Sequence, residues 1–347
     1  MESIDWSDKT YPSRRCRHFS CFRLLEPARR PVAPRTLEHT LPGNTMTPAR
    51  DTCELTVIVG SLDAGPHLPE CLASLQSACE GLDAEILVVD GSAAAGLDMI
   101  GQRFTSARFI SMPRGTLVPA LWGRGLRDAR GRIVAFTIAQ CRVGAGWAHS
   151  LIDGIRSGAA GVGGPLDVLP GTSATGRATF YLRYSAWLGS LDGPVREIAG
   201  DNAAYDHGAL RAVGNDTAES FWEVEAHARF RELGRTLIVH SGATAWFTDD
   251  TRLATMAARR FAHGRHSGAF RVRSGIRTRW QMVVGAPLVP VVLLARVARR
   301  VARARGHVLR FVTSLGAFLV LAVAWAAGEA IGAFTAEAEM REALRAA

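Results

Sequence analysis

Between residues 54 and 156, short β-branched apolar runs alternate with stretches whose apolar residues recur at helical spacing. This alternation limits the fold more than any other feature of the chain. Residues 55–59 (LTVIV), 85–89 (EILVV), 108–112 (RFISM) and 133–137 (IVAFT) are too short for helices and nearly continuous in apolar character, as strands buried on both faces are. Residues 68–79, 117–129 and 147–156 read as helices. Strand, helix, strand in this order requires right-handed crossovers and a mostly parallel sheet with helices on both faces. The expected fold class is α/β, and ligands of such sheets bind at the carboxyl ends of the strands.

The flanks differ from this body. Residues 1–50 carry nine basic and five acidic groups, with Pro and Arg clustered between 27 and 34 and neither helical nor strand period. A disordered extension is expected there, and Met46, just ahead of the first strand run, is a candidate start of translation. Nothing before Leu55 has the apolar stretch of a signal peptide. Residues 51–250 carry sixteen basic and twenty-three acidic groups, whereas residues 251–328 hold fourteen arginines and no acid. The basic set is forty arginines and the single Lys9, a bias that fits a GC-rich genome, so arginine abundance by itself carries no chemistry. An acidic body with a basic tail fits a partner dense in phosphate, either nucleic acid or anionic lipid. The apolar runs inside the basic block favour lipid, and interleaved aromatics or a motif for nucleic acid are missing.

The six cysteines (Cys16, Cys21, Cys53, Cys71, Cys79, Cys141) form no C-x-x-C pair, so reduced thiols in a cytosolic domain are expected. Residues 158–165 (GAAGVGGP) match neither G-x-G-x-x-G nor a phosphate-cradling P-loop. They read as a strand edge and a turn needing positive φ.

Several motifs then occur in a telling order. Residues 55–59 are followed by HLPECLASL at 67–75, and 85–92 read EILVVDGS. Gly200-Asp201-Asn202-Ala203-Ala204-Tyr205 precedes LRAVG at 210–214, and Trp222-Glu223-Val224-Glu225 has Arg229 and Gly234 downstream. Over residues 53–270 this resembles glycosyltransferase family 2, the inverting enzymes with the GT-A fold. The resemblance implies a GT-A domain at 51–270 that moves a sugar from a nucleotide-sugar donor by single displacement. It places Glu223 as the base that takes the proton from the acceptor hydroxyl. Glu225, two residues on, points away from it on a helix. Asp90 takes the position of the nucleotide-contacting acid, or else closes the strand as an Asx-turn before Gly91. Asp201 and Asn202 touch donor or acceptor hydroxyls, or else form a turn after Gly200. His263 and Arg265, in FAHGR at 261–265, resemble a basic segment that follows the base helix and suits phosphate oxygens.

One departure stands out. Where the family places a D-x-D pair on Mg²⁺ or Mn²⁺, this chain reads Ala139-Gln140-Cys141-Arg142, and no acid occurs between Asp128 and Asp153. Hard divalent cations want oxygen ligands, so no metal ligand is expected. Either arginines neutralise the diphosphate or the protein is a catalytically degenerate scaffold of a membrane glycan pathway.

Residues 271–347 form the basic, apolar tail. Residues 282–295 are interrupted by Pro287 and Pro290 and fall short of the roughly twenty apolar residues that span a bilayer, whereas 311–328 suffice. Arg296, Arg299, Arg300, Arg303, Arg305 and Arg310 lie between them, and arginines stay on the cytoplasmic side, as a nucleotide-sugar domain must. The expectation is a cytoplasmic (inner) membrane protein with its catalytic domain facing the cytoplasm. Its first segment is in-plane or re-entrant, its second crosses or dips deeply, and its acceptor is lipid-linked or at the membrane surface.

Overall fold

The computed structural model describes residues 53–62, 67–92, 97–189, 192–214, 219–273, 275–304 and 306–346. The expectations for residues 1–50 and Met46 fall outside them. The strands are β1 (Cys53–Ser61), β2 (Ala84–Asp90), β3 (Ala107–Ser111), β4 (Gly131–Ile138), β5 (Cys141–Val143), β6 (Gly161–Gly163), β7 (Leu166–Val168), β8 (Gly193–Val195), β9 (Asn202–Asp206), β10 (Leu237–Val239) and β11 (Ala245–Phe247). The helices are α1 (His67–Ala78), α2 (Leu97–Arg103), α3 (Val118–Asp128), α4 (Trp147–Arg156), α5 (Ala174–Tyr184), α6 (His207–Ala212), α7 (Glu223–Glu232), α8 (Leu253–Arg273), α9 (Arg279–Gly285), α10 (Val289–Arg303), α11 (Val308–Val312) and α12 (Leu315–Ala346).

An eight-stranded sheet in the order β3-β2-β1-β4-β9-β6-β10-β8 forms the centre, and a small sheet, β5-β11-β7, stands beside it. Every residue of β1 from Leu55 to Ser61 is buried, so both faces of the sheet are covered there. The first four strands in space are parallel, as expected. The sheet as a whole is mixed, because β9 runs antiparallel to both β4 and β6, and β8 runs antiparallel to β10.

The recurring motifs have structural work of their own. Leu68, Cys71, Leu72 and Leu75 are the buried stripe of α1, and the Ser74 hydroxyl accepts from the Val143 N–H, which ties α1 to β5. Glu85 opens β2 and accepts from Thr56 Oγ1, Arg108 Nη1 and the Arg130 N–H. Burial would raise its pKa, but these donors together hold it below the ordinary value. Gly158 does take positive φ, at 99°. The other glycines of that run answer to packing: β6 is an interior strand, and a Cβ on Gly164 would stand 1.8 Å from the Ala243 carbonyl oxygen.

At the carboxyl end, Arg279–Arg303 (mean hydropathy 1.8) and Leu315–Ala336 (1.9) are helical stretches long and apolar enough to cross a membrane. The expectation that Pro287 and Pro290 cut the first one short does not hold. Each proline sits in the first turn of a new helical piece, a 3-10 turn at Ala286–Leu288 and then α10, where its missing N–H sacrifices no bond. α12 packs on α8 through four glycines. A Cβ on Gly264 or Gly268 would meet the backbone of Trp325 and Glu329, and one on Gly328 or Gly332 would meet the backbone of Phe261 and Arg265, all within about 2.4 Å. Both helices thus carry a G-x-x-x-G pair that lets their backbones touch, the device by which helices approach most closely. Glu329, 3% exposed, is paired within this contact with Arg271 at 2.8 Å.

Candidate functional site

Phe221 anchors the site. Its ring stacks on Phe136 of β4 (centroids 4.3 Å apart, 5° between planes) and meets Trp122 of α3 and Tyr205 of β9 edge-on. Phe221 N–H also donates to the Pro119 carbonyl. Gly123 lets this segment pass, since a Cβ there would stand 2.7 Å from Ser220 Cα. Residue 221 is therefore rigid, and Glu223, the first residue of α7, is held two positions on.

The Glu223 carboxyl lies against bare backbone at Gly200, where a Cβ would come within 3.1 Å of its Cδ and 3.2 Å of the Trp122 ring. Burial, and next the charge of Asp201, raise the pKa of Glu223 to about 7. Asp201 is 5% exposed. Its Oδ2 accepts from Arg183 Nη2 and from the Tyr184 hydroxyl, both at 2.7 Å, while Oδ1 is buried with no hydrogen-bond partner. Burial opposes the charge on Arg183, but Asp201 outweighs it and keeps the guanidinium firmly ionised, with Cys141 and Glu223 among the other groups within its electrostatic reach. Arg183 is thus held on Asp201, with its guanidinium carbon 5.0 Å from the centre of the Tyr184 ring.

α8 closes the opposite side. His266 stacks on Trp222, the residue before Glu223, with centroids 5.7 Å apart and 8° between planes. On the same flank of α8 are Arg260 and His263, spaced three residues apart as neighbours on one helix face are. Burial lowers the pKa of His263 to about 4, with Arg183 and Arg260 adding to it, so the ring is neutral at pH 7.

The sequence candidates separate accordingly. Glu223, Asp201 and His263 share this region, whereas the Arg265 side chain is exposed along the seam between α8 and α12, lining a shallow groove with His266, Ala269 and Thr335. Asn202 is fully buried: its Oδ1 accepts from Trp147 Nε1 at 2.6 Å, and its Nδ2 donates to the Pro165 and Ala243 carbonyls. That amide is fully engaged in joining α4 and both sheets. Asp90, 1% exposed at the carboxyl end of β2, makes the Asx-turn, accepting from the Ser92 N–H at 2.9 Å and from the Ser92 hydroxyl. Glu225 is exposed. Arg183, Tyr184 and Arg260 lie in no motif, and neither they nor Trp222, which opens the motif at 222–225, were among the sequence candidates.

The β4–β5 turn does not suit a hard cation. Cys141 is fully buried and its thiol is pushed well up by that burial, Gln140 is a neutral amide, and Arg142 is paired with Glu70. Among the described residues no group of three or more His, Cys, Asp or Glu is placed to hold a metal ion. The arrangement offers instead a carboxyl poised to exchange a proton near neutral pH within the electrostatic reach of the Asp201–Arg183 pair. No protein-family model and no curated protein matches this chain.

Proposed function

We propose that this chain is a membrane-associated glycosyltransferase of GT-A architecture that moves a sugar from a nucleoside-diphosphate donor to a lipid-linked or membrane-surface hydroxyl. The observation that carries the reading is Glu223, a rigidly held carboxyl of pKa about 7 beside Asp201 and Arg183. A general base works best when its pKa lies near the working pH. In the reaction, Glu223 takes the acceptor hydroxyl proton as that oxygen bonds to the anomeric carbon. The bond from that carbon to the diphosphate oxygen breaks on the opposite face, and the diphosphate leaves with the electron pair. Inversion follows from the single displacement. In this reading Arg183 meets the charge that grows on the leaving group, since a guanidinium fork matches phosphate oxygens. In this reading Asp90, at the end of β2, shapes the turn at Gly91 and Ser92 against which the base or ribose of the donor would lie.

Membrane association is supported by the apolar side chains exposed on the carboxyl-terminal helices, among them Trp280 (60%), Val284 (73%), Leu288 (64%), Val291 (62%) and Leu309 (73%). These helices lie on the membrane and dip into it. If α12 crossed, α8 packed along it would carry Arg259, Arg260, Arg265 and Arg271 into hydrocarbon, at about 2.5–3.5 kcal/mol or more for each arginine at the centre.

The test is transfer from a panel of nucleoside-diphosphate sugars to a membrane extract by the detergent-purified full chain, with Glu223→Gln alongside. Sugar incorporation by the wild type, reduced by a factor of 10² or more in the variant, is expected. A wild-type protein that is folded but neither transfers sugar nor binds any nucleotide fits the scaffold and overturns the proposal.

A further inference from the structure

The seam between α8 and α12 opens on one side into a groove of about 270 Å³, lined by Arg265, His266 and Arg273 of α8 and by Thr335 of α12. Its other walls are the small residues Ala262, Ala269 and Gly332, which leave room between the two arginine stems. Positions 262, 266, 269 and 273 recur every three or four residues and so form one stripe of α8. Arg265, His266 and Arg273 are exposed, and among the described residues no acid lines the groove. The Thr335 hydroxyl turns back to the Ile331 and Gly332 carbonyls, at 3.1 and 3.3 Å, so the donors of the groove are the guanidinium groups and the His266 imidazole. The His266 ring is fixed by its stack on Trp222. Such a donor set suits an oxyanion, above all a phosphate.

The border of the groove is apolar on both sides. On α12, Ile331 (45% exposed) lies one turn from Thr335, and four-residue steps from it lead through Ala327 to Val323 (55%), all exposed. On α8, Phe270 (42% exposed) adjoins both His266 and Arg273 at helical spacing. At the end of the seam the Arg279 guanidinium carbon is 4.8 Å from the centre of the Trp280 ring and 5.6 Å from that of Phe334, a grouping of arginine and aromatic side chains that belongs at the boundary between hydrocarbon and water. The groove is smaller than the about 300–1,000 Å³ of pockets that enclose a drug-sized ligand, so it takes a head group and leaves the rest of the molecule outside. A free anion would engage the cations and leave the apolar border bare, whereas a lipid engages both.

We propose that this groove holds the phosphate head of one anionic phospholipid on Arg265, Arg273 and His266, with the acyl chains laid along Ile331, Ala327 and Val323 of α12. The proposal rests on the membrane-association part of the reading above and is independent of sugar transfer. It puts the arginines of the seam at the depth of the lipid head groups, where each basic side chain gains from the negative surface, in keeping with α8 and α12 seated at the membrane surface.

The test titrates the full chain, purified in a neutral detergent, with dioctanoyl phosphatidylglycerol, dioctanoyl phosphatidylcholine and glycerol phosphate, and counts bound molecules by native mass spectrometry. Saturable binding of one phosphatidylglycerol is expected, with weaker binding of phosphatidylcholine, whose own cation would stand among the arginines. The double variant Arg265→Gln with Arg273→Gln should weaken it by about 10- to 100-fold, the worth of a charge-assisted hydrogen bond or more. Arg299→Gln should leave it unchanged, since that exposed arginine of α10 donates to the Ala295 carbonyl of its own helix. Ala269→Leu keeps every charge and fills the groove, so it should weaken binding by about tenfold or more, and it carries the comparison if the arginine pair lowers the melting temperature. Glycerol phosphate bound as tightly as the lipid assigns the groove to a soluble phosphate and overturns the proposal. So does an equal loss in Arg299→Gln, which would mean charge attraction without a site, or full binding in a folded Ala269→Leu, or no binding of phosphatidylglycerol at all. Sedimentation of the wild type with anionic vesicles decides membrane association separately: if the chain sediments while the groove variants bind lipid like the wild type, that reading stands and this site falls.

Discussion

Replacing Glu223 by Gln should make the protein inactive and, above neutral pH, more stable. The pKa of Glu223 stands at about 7 in the folded protein against 4.5 for an ordinary carboxyl. A folded-state pKa raised above the unfolded one means the native state keeps its proton longer, so the group favours folding below pH 4.5 and that contribution disappears as pH rises from about 4.5 to 7. The gap corresponds to about 3 kcal/mol. Since the side chain is only half-buried, water screens part of it, and about 1–2 kcal/mol is the expected cost at pH 8. Glutamine has the same shape and no charge to desolvate. Thermal unfolding of wild type and Glu223→Gln should therefore differ by about 2–3 °C in favour of the variant at pH 8, with the gap closing below pH 5. In the wild type, kcat/KM should rise with pH through about 7 and then level off. A variant less stable than wild type at pH 8, or a difference independent of pH, would refute the assignment of Glu223 as a carboxyl strained by burial and by Asp201.

Three other outcomes are expected. Gly332→Ala places a Cβ 1.9 Å from the Arg265 carbonyl oxygen, and the forced separation of α8 from α12 should cost about 1–3 kcal/mol in chemical denaturation. Asn202→Ala leaves Trp147 Nε1 and the Ala243 carbonyl unpaired in the interior and removes one of the two donors to the Pro165 carbonyl, which keeps the Ala245 N–H, so a loss of about 2–4 kcal/mol is expected by the same assay. The double variant Trp280→Asp with Val291→Asp removes two exposed apolar groups and should cut sedimentation with anionic vesicles at least tenfold, without changing the melting temperature in detergent.

The elements read from sequence, β1 to β4 with α1, α3 and α4, are observed within about two residues, because strands buried on both faces and amphipathic helices announce themselves by periodicity. The region from 158 to 247 resisted that reading for a physical reason. β6, β7, β8, β10 and β11 are three residues each, too short to show a period, and β9 is buried through small side chains such as Ala203 and Ala204. At the site, Glu223 and Asp201 stood in a motif, whereas Arg183 and Arg260 were hidden among forty arginines whose number reflects composition. Their meaning lies in what they touch, Asp201 in one case and Trp325 in the other. The paired G-x-x-x-G spacings at 264/268 and 328/332 were present in the sequence, but each is unremarkable until the two helices are seen to cross.

That crossing makes α8 a rod with two tasks. One of its faces, Phe261, Gly264, Arg265 and Gly268, lies backbone to backbone on α12, while His266 stacks on Trp222, the residue before Glu223. The two faces communicate at single residues. Trp325 of α12 supports the Arg260 guanidinium, and Trp222, which precedes Glu223, supports His266. With no side chain at the glycines to act as a cushion, a shift of α12 cannot be absorbed at the contact and passes to α8 as a rigid displacement. The exposed valines and leucine of α12, Leu319, Val320 and Val323, are therefore mechanically tied, through α8 and His266, to the segment that carries Glu223. On the proposed reading, this gives a physical reason for one compact unit to hold both the apolar helices and the reacting groups: the depth at which a bilayer seats α12 sets where α8, and with it His266 on Trp222, stands relative to Glu223.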